Sequence, residues 1–283
     1  MLNMLVWGIN MPVVKWLTGH FDSLLLAGLR MLAAMLMMCL LLRGRTVSLQ
    51  LRREQWVQLL LCALCLIYLN QWLFAEGLRR STATNGALIA ALQPLVAALV
   101  AMVLLRERLG MRRLAGALLG LGGAALAILH RPVAQLVEAG VGDGLVMLAV
   151  LVFCLGAVLT QRLVREMDAV VLTILVHAIG AAALLGHAGL AWLWSGEPPR
   201  APAAGWLWAG LVVSGLLSAG IGNLLWTRSI SLIGMARASQ WLHWVPIFGI
   251  ATAAVFLGEP ITWWHVFGLV LVLAGTRLGL ERS

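Results

Sequence analysis

Charged residues are scarce in this chain, and acidic residues are the scarcest of them. Of its 283 residues, 11% are charged, 11 are Asp or Glu, and 62% are hydrophobic. The mean hydropathy is +0.97. A soluble domain has roughly 25% charged and about 45–50% apolar residues. The composition therefore excludes a soluble protein and predicts one that lies in a lipid bilayer along its whole length.

The residue groups that most enzymes need are also missing. Lys15 is the only lysine, and no G-x-x-x-x-G-K-[ST] loop is present to hold nucleotide phosphates. There is no His, Asp or Glu cluster with metal-ligand spacing, no paired carboxylates and no evident Ser-His-Asp set. The pair Cys62-x-x-Cys65 lacks a second ligand pair, so we interpret it as inert. We expect no cofactor, no metal and no enzymatic activity. A membrane-embedded enzyme and a non-transporting scaffold subunit remain as alternatives.

Apolar stretches fill the chain instead. A bilayer-spanning helix needs about 20 mostly apolar residues. Such stretches lie near 2–18, 22–43, 56–78, 82–104, 112–130, 143–162, 170–194, 205–229, 235–257 and 263–280. They predict ten transmembrane helices joined by short loops. No basic segment precedes the first stretch and no small-residue cleavage site follows it, so we interpret it as a span and not as a signal peptide.

The positions of the basic residues predict the orientation. If the N-terminus is cytoplasmic, 14 of the 20 Lys and Arg residues fall inside and Arg30 lies within a span. The residues outside are Lys15, Arg79, Arg80, Arg131 and Arg200. Because positive charge favours the cytoplasmic side, both termini are expected in the cytoplasm. The net charge of +9 then reflects orientation and anionic lipid, and we expect no nucleic-acid partner.

The second half of the chain repeats the first at a constant offset of 152 residues. The matched pairs are Pro94 and Pro246, Glu107 and Glu259, Gly116 and Gly268, and Gly123 and Gly275. We place the repeats at residues 1–135 and 136–283, with five helices each. An odd number of spans inverts the second copy. The predicted fold is an all-α integral membrane protein of two inverted five-helix repeats, an architecture of secondary transporters whose site lies at the repeat interface.

Several of these stretches look like parts of one family. They are Leu105–Leu109 and Leu257–Ile261, Gly116 and Gly268 in the helices that follow, Trp7-Gly8-x-Asn10 in the first helix, and Arg30 in the second. Together they resemble the drug/metabolite transporter superfamily, of the ten-helix, two-repeat type. The second repeat departs from the pattern, with Leu155-Gly156-Ala157 where a Trp-Gly pair would stand. The resemblance covers the whole chain and implies gradient-driven movement of small molecules across a bacterial inner membrane, mostly export. Within the superfamily, the chain is most similar to the aromatic amino acid exporters.

Polar and aromatic residues recur at helical spacing in both halves. Gln71 and Phe74 share a face of the third helix, and their repeat partners share a face of the eighth. Polar side chains at this depth need partners or a water-filled cavity. We therefore predict a central cavity walled by helices 1, 3, 4, 6, 8 and 9. The predicted substrate-binding residues are Trp7, Asn10, Gln71, Phe74, Asn85, Ile89, Gln161, Asn223, Trp226, Arg237, Trp241, His243 and Trp244. The alternatives are that the Trp residues anchor the helices at the interface and that the amides bridge helices.

A few further residues carry structural expectations. Pro94 and Pro246 should kink their helices and act as hinges. Arg30 is expected as a paired stabiliser, with Glu76 as a candidate partner, or as a contact for a substrate carboxylate. Glu76 and His243 are the candidates for proton coupling, while His177 is expected to pack. The pattern Gly116-x-x-x-Gly120 fits either a homodimer face or contact within a monomer.

These features predict a secondary transporter with a large, weakly polar cavity. We expect export of small amphipathic metabolites, such as aromatic or apolar amino acids, by alternating access. The alternative within the same class is an exporter of drugs or other cationic solutes. The expected location is a bacterial inner membrane, as a multi-pass monomer or homodimer.

Overall fold

The computed structural model describes residues 1–41, 51–105, 111–129, 136–233, 238 and 240–280. Within these ranges the chain forms helices and short turns and no β-strand. We number the helices in chain order and join consecutive segments into one helix. They are α1 (Leu2–Thr18), α2 (Ser23–Leu41), α3 (Arg53–Arg80), α4 (Ala83–Ala90 and Gln93–Leu105), α5 (Met111–Leu129), α6 (Leu136–Leu163), α7 (Ala169–Ser195), α8 (Gly205–Ile233), α9 (Gln240–His243 and Trp244–Leu257) and α10 (Trp263–Leu280).

Five stretches among the described residues are long and apolar enough to cross a membrane by themselves. They are Ser23–Leu40, Arg53–Arg80, Gly140–Leu163, Ala169–Ser195 and Gly205–Ile233. Shorter apolar helices cover Leu114–Leu126, Trp244–Leu257 and Trp263–Leu278. The all-helical fold class is confirmed, and the count of ten spans stays a prediction.

Irregular helical geometry occurs at matching places in the two repeats. Leu64–Leu69 in α3 and Gly215–Gly222 in α8 are π-helical, and they overlap when the offset of 152 residues is applied. Helix α4 is interrupted by a turn at Ala91 and Leu92, and α9 begins with a 3₁₀ turn, Gln240–His243, at the corresponding position. Because π-helical segments occur frequently at functional sites, these paired irregularities indicate where to look for one.

The packing of the helices follows the repeat. Helix α2 packs against α7, and α5 packs against α10, so each of these pairs joins counterparts from the two halves. Helix α1 packs against α9, and α4 packs against α6, which is the same pairing with the halves exchanged. This pattern is the one expected for two repeats related by a two-fold axis.

Glycines allow the close approach of α5 and α10. A β-carbon on Gly275 would lie 2.6 Å from the carbonyl oxygen of Gly116, and one on Gly123 would lie 2.8 Å from that of Gly268. The pattern Gly116-x-x-x-Gly120 therefore serves contact within the chain. Whether the protein also dimerises stays a prediction.

The bundle has two ends, which we name the near end, where α1 begins, and the far end, where α1 finishes. At the far end the Glu259 carboxylate accepts hydrogen bonds from Ala83 N (2.8 Å), Thr84 N (2.8 Å) and Thr84 Oγ1 (2.6 Å). Thr82 caps the same turn, because its Oγ1 accepts from Asn85 N. The second repeat thus holds the first turn of α4 in the first repeat.

A second group of contacts ties α2 to α3 at the far end. The Glu76 carboxylate accepts hydrogen bonds from Ser23 Oγ (2.8 Å), Arg79 Nη2 (2.7 Å) and Arg80 Nε (2.7 Å). Glu76 therefore does not pair with Arg30, which had been its candidate partner. The positive charge beside Glu76 comes instead from Arg79 and Arg80, on the following turn of α3.

Candidate functional site

A central cavity lies midway along the bundle, between α1, α2, α3, α4, α6, α8 and α9. About 670 Å³ there is free of protein atoms, counting the part that opens to the surroundings. The walls are formed by Trp7, Asn10, Met11, Arg30, Asn70, Gln71, Phe74, Ala90, Gln93, Val150, Phe153, Ser218, Ala219, Asn223 and Val245. The six predicted walls are present, and α2 adds a seventh through Arg30.

Arg30 is the charged residue of this wall. Its side chain is buried, with 2% of its surface exposed. Nε donates to Ser214 Oγ (2.8 Å), and Nη2 donates to Asn10 Oδ1 (2.8 Å). Within the described residues no carboxylate pairs with Arg30, since the ion pairs found there join other residues. The guanidinium thus meets neutral oxygens and the cavity.

Three aromatic rings pack together on the side of the central cavity that faces the near end. The ring centroids of Trp7 and Trp226 are 5.6 Å apart, those of Trp7 and Phe153 are 6.5 Å apart, and those of Phe153 and Trp226 are 6.3 Å apart. Trp7 Nε1 donates to Ser218 O (3.1 Å) in the π-helical part of α8, which fixes the indole. Together with Phe74, Trp7 and Phe153 give the central cavity an aromatic part of its lining.

A second cavity adjoins the first toward the near end. It shares Gln71, Phe153 and Asn223 with the central cavity, and about 420 Å³ there is free of protein atoms. Its remaining lining is Leu66, Ile67, Thr160, Leu172, Thr173, Val176, His177, Trp226 and Thr227. The two cavities therefore adjoin at these three residues, and the second lies nearer the near end.

His177 is the titratable residue in the lining of the second cavity. It is buried, with 1% of its surface exposed. Nδ1 lies 2.7 Å from Thr173 O. Nε2 lies 3.1 Å from Ala219 O and 3.1 Å from Asn223 Nδ2. Both ring nitrogens therefore have polar neighbours on two helices, α7 and α8.

Comparison with known families decides what kind of protein has this architecture. Residues 1–129 and 140–279 each match the EamA-like transporter family. The chain belongs to this family. The two matches follow the two halves of the sequence, and they confirm the resemblance to the drug/metabolite transporter superfamily. The chain is thus a multi-pass membrane transporter, in a family of transporters and not of enzymes.

Individual relatives of this EamA-like transporter carry names of the same kind. "Uncharacterized transporter YyaM" of Bacillus subtilis is 24% identical over 274 residues, which is 95% of this chain and 88% of the relative. "Uncharacterized transporter YvbV" of the same organism is 26% identical and covers 99% and 89%. One crystal structure, described only as that of a protein, is 19% identical with a TM-score of 0.70, covering 98% of this chain and 93% of that one. That structure shows a shared fold alone.

The structure brings many of the predicted site residues of this EamA-like transporter together. Trp7, Asn10, Gln71, Phe74 and Asn223 line the central cavity, and Asn223 also lines the second. Trp226 lines the second cavity and contacts Trp7, with the two ring planes tilted by 54°. These six come from α1, α3 and α8. Their role in binding stays a prediction.

Three other predicted residues lie elsewhere. Asn85 and Ile89 are packed inside the bundle and do not line either cavity, because the face of α4 that reaches the cavity carries Ala90 and Gln93. Gln161 is half-buried near the end of α6, and its neighbour Thr160 lines the second cavity instead. For Ile89 and Gln161 the neighbouring position, about 100° around the helix, lines a cavity instead.

The tryptophans of α9 also require a correction. Trp241 and Trp244 expose 47% and 40% of their surface and line neither cavity. The residue of α9 in the central cavity is Val245, which is the repeat partner of Gln93. In both α4 and α9, the residues that line the cavity therefore lie one position later in the sequence than predicted. Arg237 and the side chain of His243 lie outside the described residues.

The predicted hinge prolines each follow an interruption of the helix. Gln93, the residue before Pro94, begins the second segment of α4 after the turn at Ala91 and Leu92. Pro246 lies in the first turn of the α-helix that follows the 3₁₀ turn of α9. Both prolines thus follow an interruption of their helix, and kinking and hinge motion at them stay predictions.

Sequence reasoning missed the polar residues that complete the site. Ser214 and Ser218 lie on α8 four residues apart, which is one helical face, and Asn70 precedes Gln71. His177 was interpreted as packing because α7 was not expected at the cavity. The available signal was an ionisable residue within an otherwise apolar helix, which in membrane proteins indicates function by default.

Proposed function

We propose that this EamA-like transporter is a secondary transporter of small amphipathic solutes that carry a carboxylate beside an aromatic or apolar body. Aromatic or apolar amino acids are solutes of this kind. The observation that carries the proposal is the buried guanidinium of Arg30 in a central cavity that the rings of Trp7 and Phe153 also line.

The carboxylate is inferred from the free energy of a buried charge. A charged side chain within a membrane is costly unless partners compensate it. Asn10 and Ser214 supply neutral oxygens to Arg30, and a bound carboxylate would add the missing negative charge. A hydrogen bond to a charged group contributes about 1.5–3 kcal/mol. That corresponds to roughly 10- to 150-fold in affinity. A cationic solute would instead meet like charge, which argues against the drug-exporter alternative.

The apolar body of the solute is inferred from the aromatic residues in the lining of the central cavity. Trp7, Phe74 and Phe153 offer ring faces and edges to the central cavity. Aromatic pairs contribute about 0.5–1.5 kcal/mol beyond the burial of area. A sugar or a phosphate would leave these rings without matching apolar surface. The cavity therefore favours solutes with separate polar and aromatic ends.

The direction we propose is export, with the near end and both termini in the cytoplasm of a bacterium. The 14-to-5 distribution of basic residues supports this orientation. The second cavity extends the central one toward the near end, while Glu76 and Glu259 tie helices at the far end. In this arrangement the cavities lie toward the side from which an exporter loads its solute.

The test is solute counterflow with the purified protein in liposomes, without nucleotide. Labelled phenylalanine is the reporter, with 3-phenylpropionate and phenethylamine as competitors that keep the ring and retain or lack the carboxylate. We expect phenethylamine to compete at least about tenfold more weakly than 3-phenylpropionate. Equal competition by the amine would contradict the carboxylate, and an absolute need for ATP would contradict secondary transport.

A further inference from the structure

The second cavity contains a histidine whose surroundings suit two protonation states. Thr173 O is an acceptor 2.7 Å from His177 Nδ1, so Nδ1 carries a hydrogen in both the neutral and the charged ring. The state of the ring is then decided at Nε2. A hydrogen-bond donor, Asn223 Nδ2, and an acceptor, Ala219 O, both lie 3.1 Å from that nitrogen.

The neutral ring matches one of these neighbours. A bare Nε2 accepts a hydrogen bond from the Asn223 amide, 3.1 Å away. A protonated Nε2 instead donates to Ala219 O, also 3.1 Å away, and the Asn223 amide group must turn from it. Ala219 lies in the π-helical part of α8, a geometry that recurs at functional sites.

Asn223 connects the protonation of His177 to the central cavity. Its side chain belongs to the linings of both cavities, so the direction of its amide is part of both. A change of proton at His177 therefore changes the donors and acceptors offered to a solute. Conversely, a solute that takes the Asn223 amide changes the preferred state of His177, since such coupling is reciprocal.

Other titratable groups on the helices around His177 are held in place or lie at the surface. On α2, Arg30 donates to Asn10 and Ser214. On α3, the Cys62 thiol lies 3.2 Å from Thr160 Oγ1, and Cys65 is half-buried. On α6, Cys154 donates to Gln93 O. The exposed charges near the ends of α6 and α8 are Arg162 and Arg228, and the second histidine of α7, His187, pairs with Tyr68.

We propose that His177 binds the proton that drives transport, and that Asn223 transmits its protonation to the substrate cavity. This rests on the proposed function, because coupling needs a transported solute. It assigns the proton to a residue that the sequence did not nominate, in place of Glu76, whose carboxylate is held by Ser23, Arg79 and Arg80 at the far end.

The experiment separates coupling from transport. Proteoliposomes with the membrane potential clamped at zero are given a gradient of one pH unit, in each orientation, and accumulation of labelled phenylalanine is normalised to counterflow. In the parent, one orientation should support accumulation up to about tenfold for one proton per solute. His177→Gln should reduce the normalised accumulation to about one. His187→Gln is the matched control, and it should accumulate like the parent.

The possible results are distinct. A parent without counterflow for any of the solutes would refute the proposed function itself. A parent with counterflow but no response to the pH gradient, or His177→Gln that accumulates like the parent, would overturn the assignment of His177. If His177→Gln does not fold, proton exchange is measured with the parent protein in weakly buffered detergent solution. Solute addition between pH 5 and 8 should release or take up protons, and no exchange of protons would overturn the proposal.

Discussion

Replacing Glu259 with Gln should open the far end of the bundle more often. Its carboxylate accepts three hydrogen bonds from the first turn of α4, including the amides of Ala83 and Thr84. A negative charge at a helix N-terminus is favourable, and the glutamine side chain presents an amide donor in its place. Charged hydrogen bonds contribute about 1.5–3 kcal/mol and neutral ones about 0.5–1.5. Because Glu259 is partly exposed, we expect a net loss of about 1–2 kcal/mol, or roughly a 5- to 30-fold shift toward the open form.

Thiol labelling measures this shift. In a background without Cys39, Cys62, Cys65 and Cys154, Gln71→Cys places one thiol in the central cavity. The labelling rate by a membrane-impermeant maleimide applied at the far end should rise about 5- to 30-fold in Glu259→Gln. Glu197→Gln is the matched control, since Glu197 is an exposed loop residue whose hydrogen bonds involve its backbone. An unchanged rate in Glu259→Gln would refute the idea that this contact holds the far end closed.

Three further predictions follow from the packing, the cavity and the orientation. Gly275→Ala should lower the melting temperature in detergent, because its β-carbon would lie 2.6 Å from Gly116 O. The control is Gly122→Ala, whose β-carbon would meet nothing within 4 Å. Equal effects of the two variants would contradict the close approach of α5 and α10. Trp7→Ala should reduce counterflow about tenfold, while Trp244→Ala, at matched membrane abundance, should stay within about twofold of the parent. The reverse ranking would place the site on the outer face of α9. A reporter fused after Ser283 should be active only in the cytoplasm, and activity on the other side would reverse the proposed orientation.

The sequence predicted the walls of the cavity better than the residues on them. The repeat offset and the pairs Gln71 with Phe74 and Asn223 with Trp226 identified α3 and α8, because polar residues at helical spacing are rare in apolar helices. Helix α9 gave no comparable signal. From Trp244 to Leu257 nearly all of its side chains are apolar, so no amphipathic pattern marks its inward face. The face that carries Trp241 and Trp244 was predicted to line the cavity, but Val245 does so. An error of one residue corresponds to a rotation of about 100° around the helix.

Arg30 and His177 show a different limit. Each is an ionisable residue in a long apolar helix, but the sequence suggests Glu76 as the partner of Arg30 and only packing for His177. Besides Asn10 and Thr173, their partners come from α8, which is distant in sequence: Ser214 for Arg30, and Ala219 and Asn223 for His177. The π-helical geometry of Gly215–Gly222 is part of that arrangement, and no residue type in the sequence specifies it. Contacts of this kind depend on how the two repeats pack.

The most direct measurement of the central claim is the solute selectivity of an Arg30→Gln variant. Counterflow competition gives the ratio of apparent affinities for 3-phenylpropionate and phenethylamine, and a ratio cancels differences in abundance and folding. Arg53→Gln, on an exposed residue at the start of α3, is the matched control. If Arg30 binds the carboxylate, the ratio should fall by about tenfold or more in Arg30→Gln and stay at the parent value in Arg53→Gln. An unchanged ratio in Arg30→Gln would contradict the assignment of the carboxylate to Arg30.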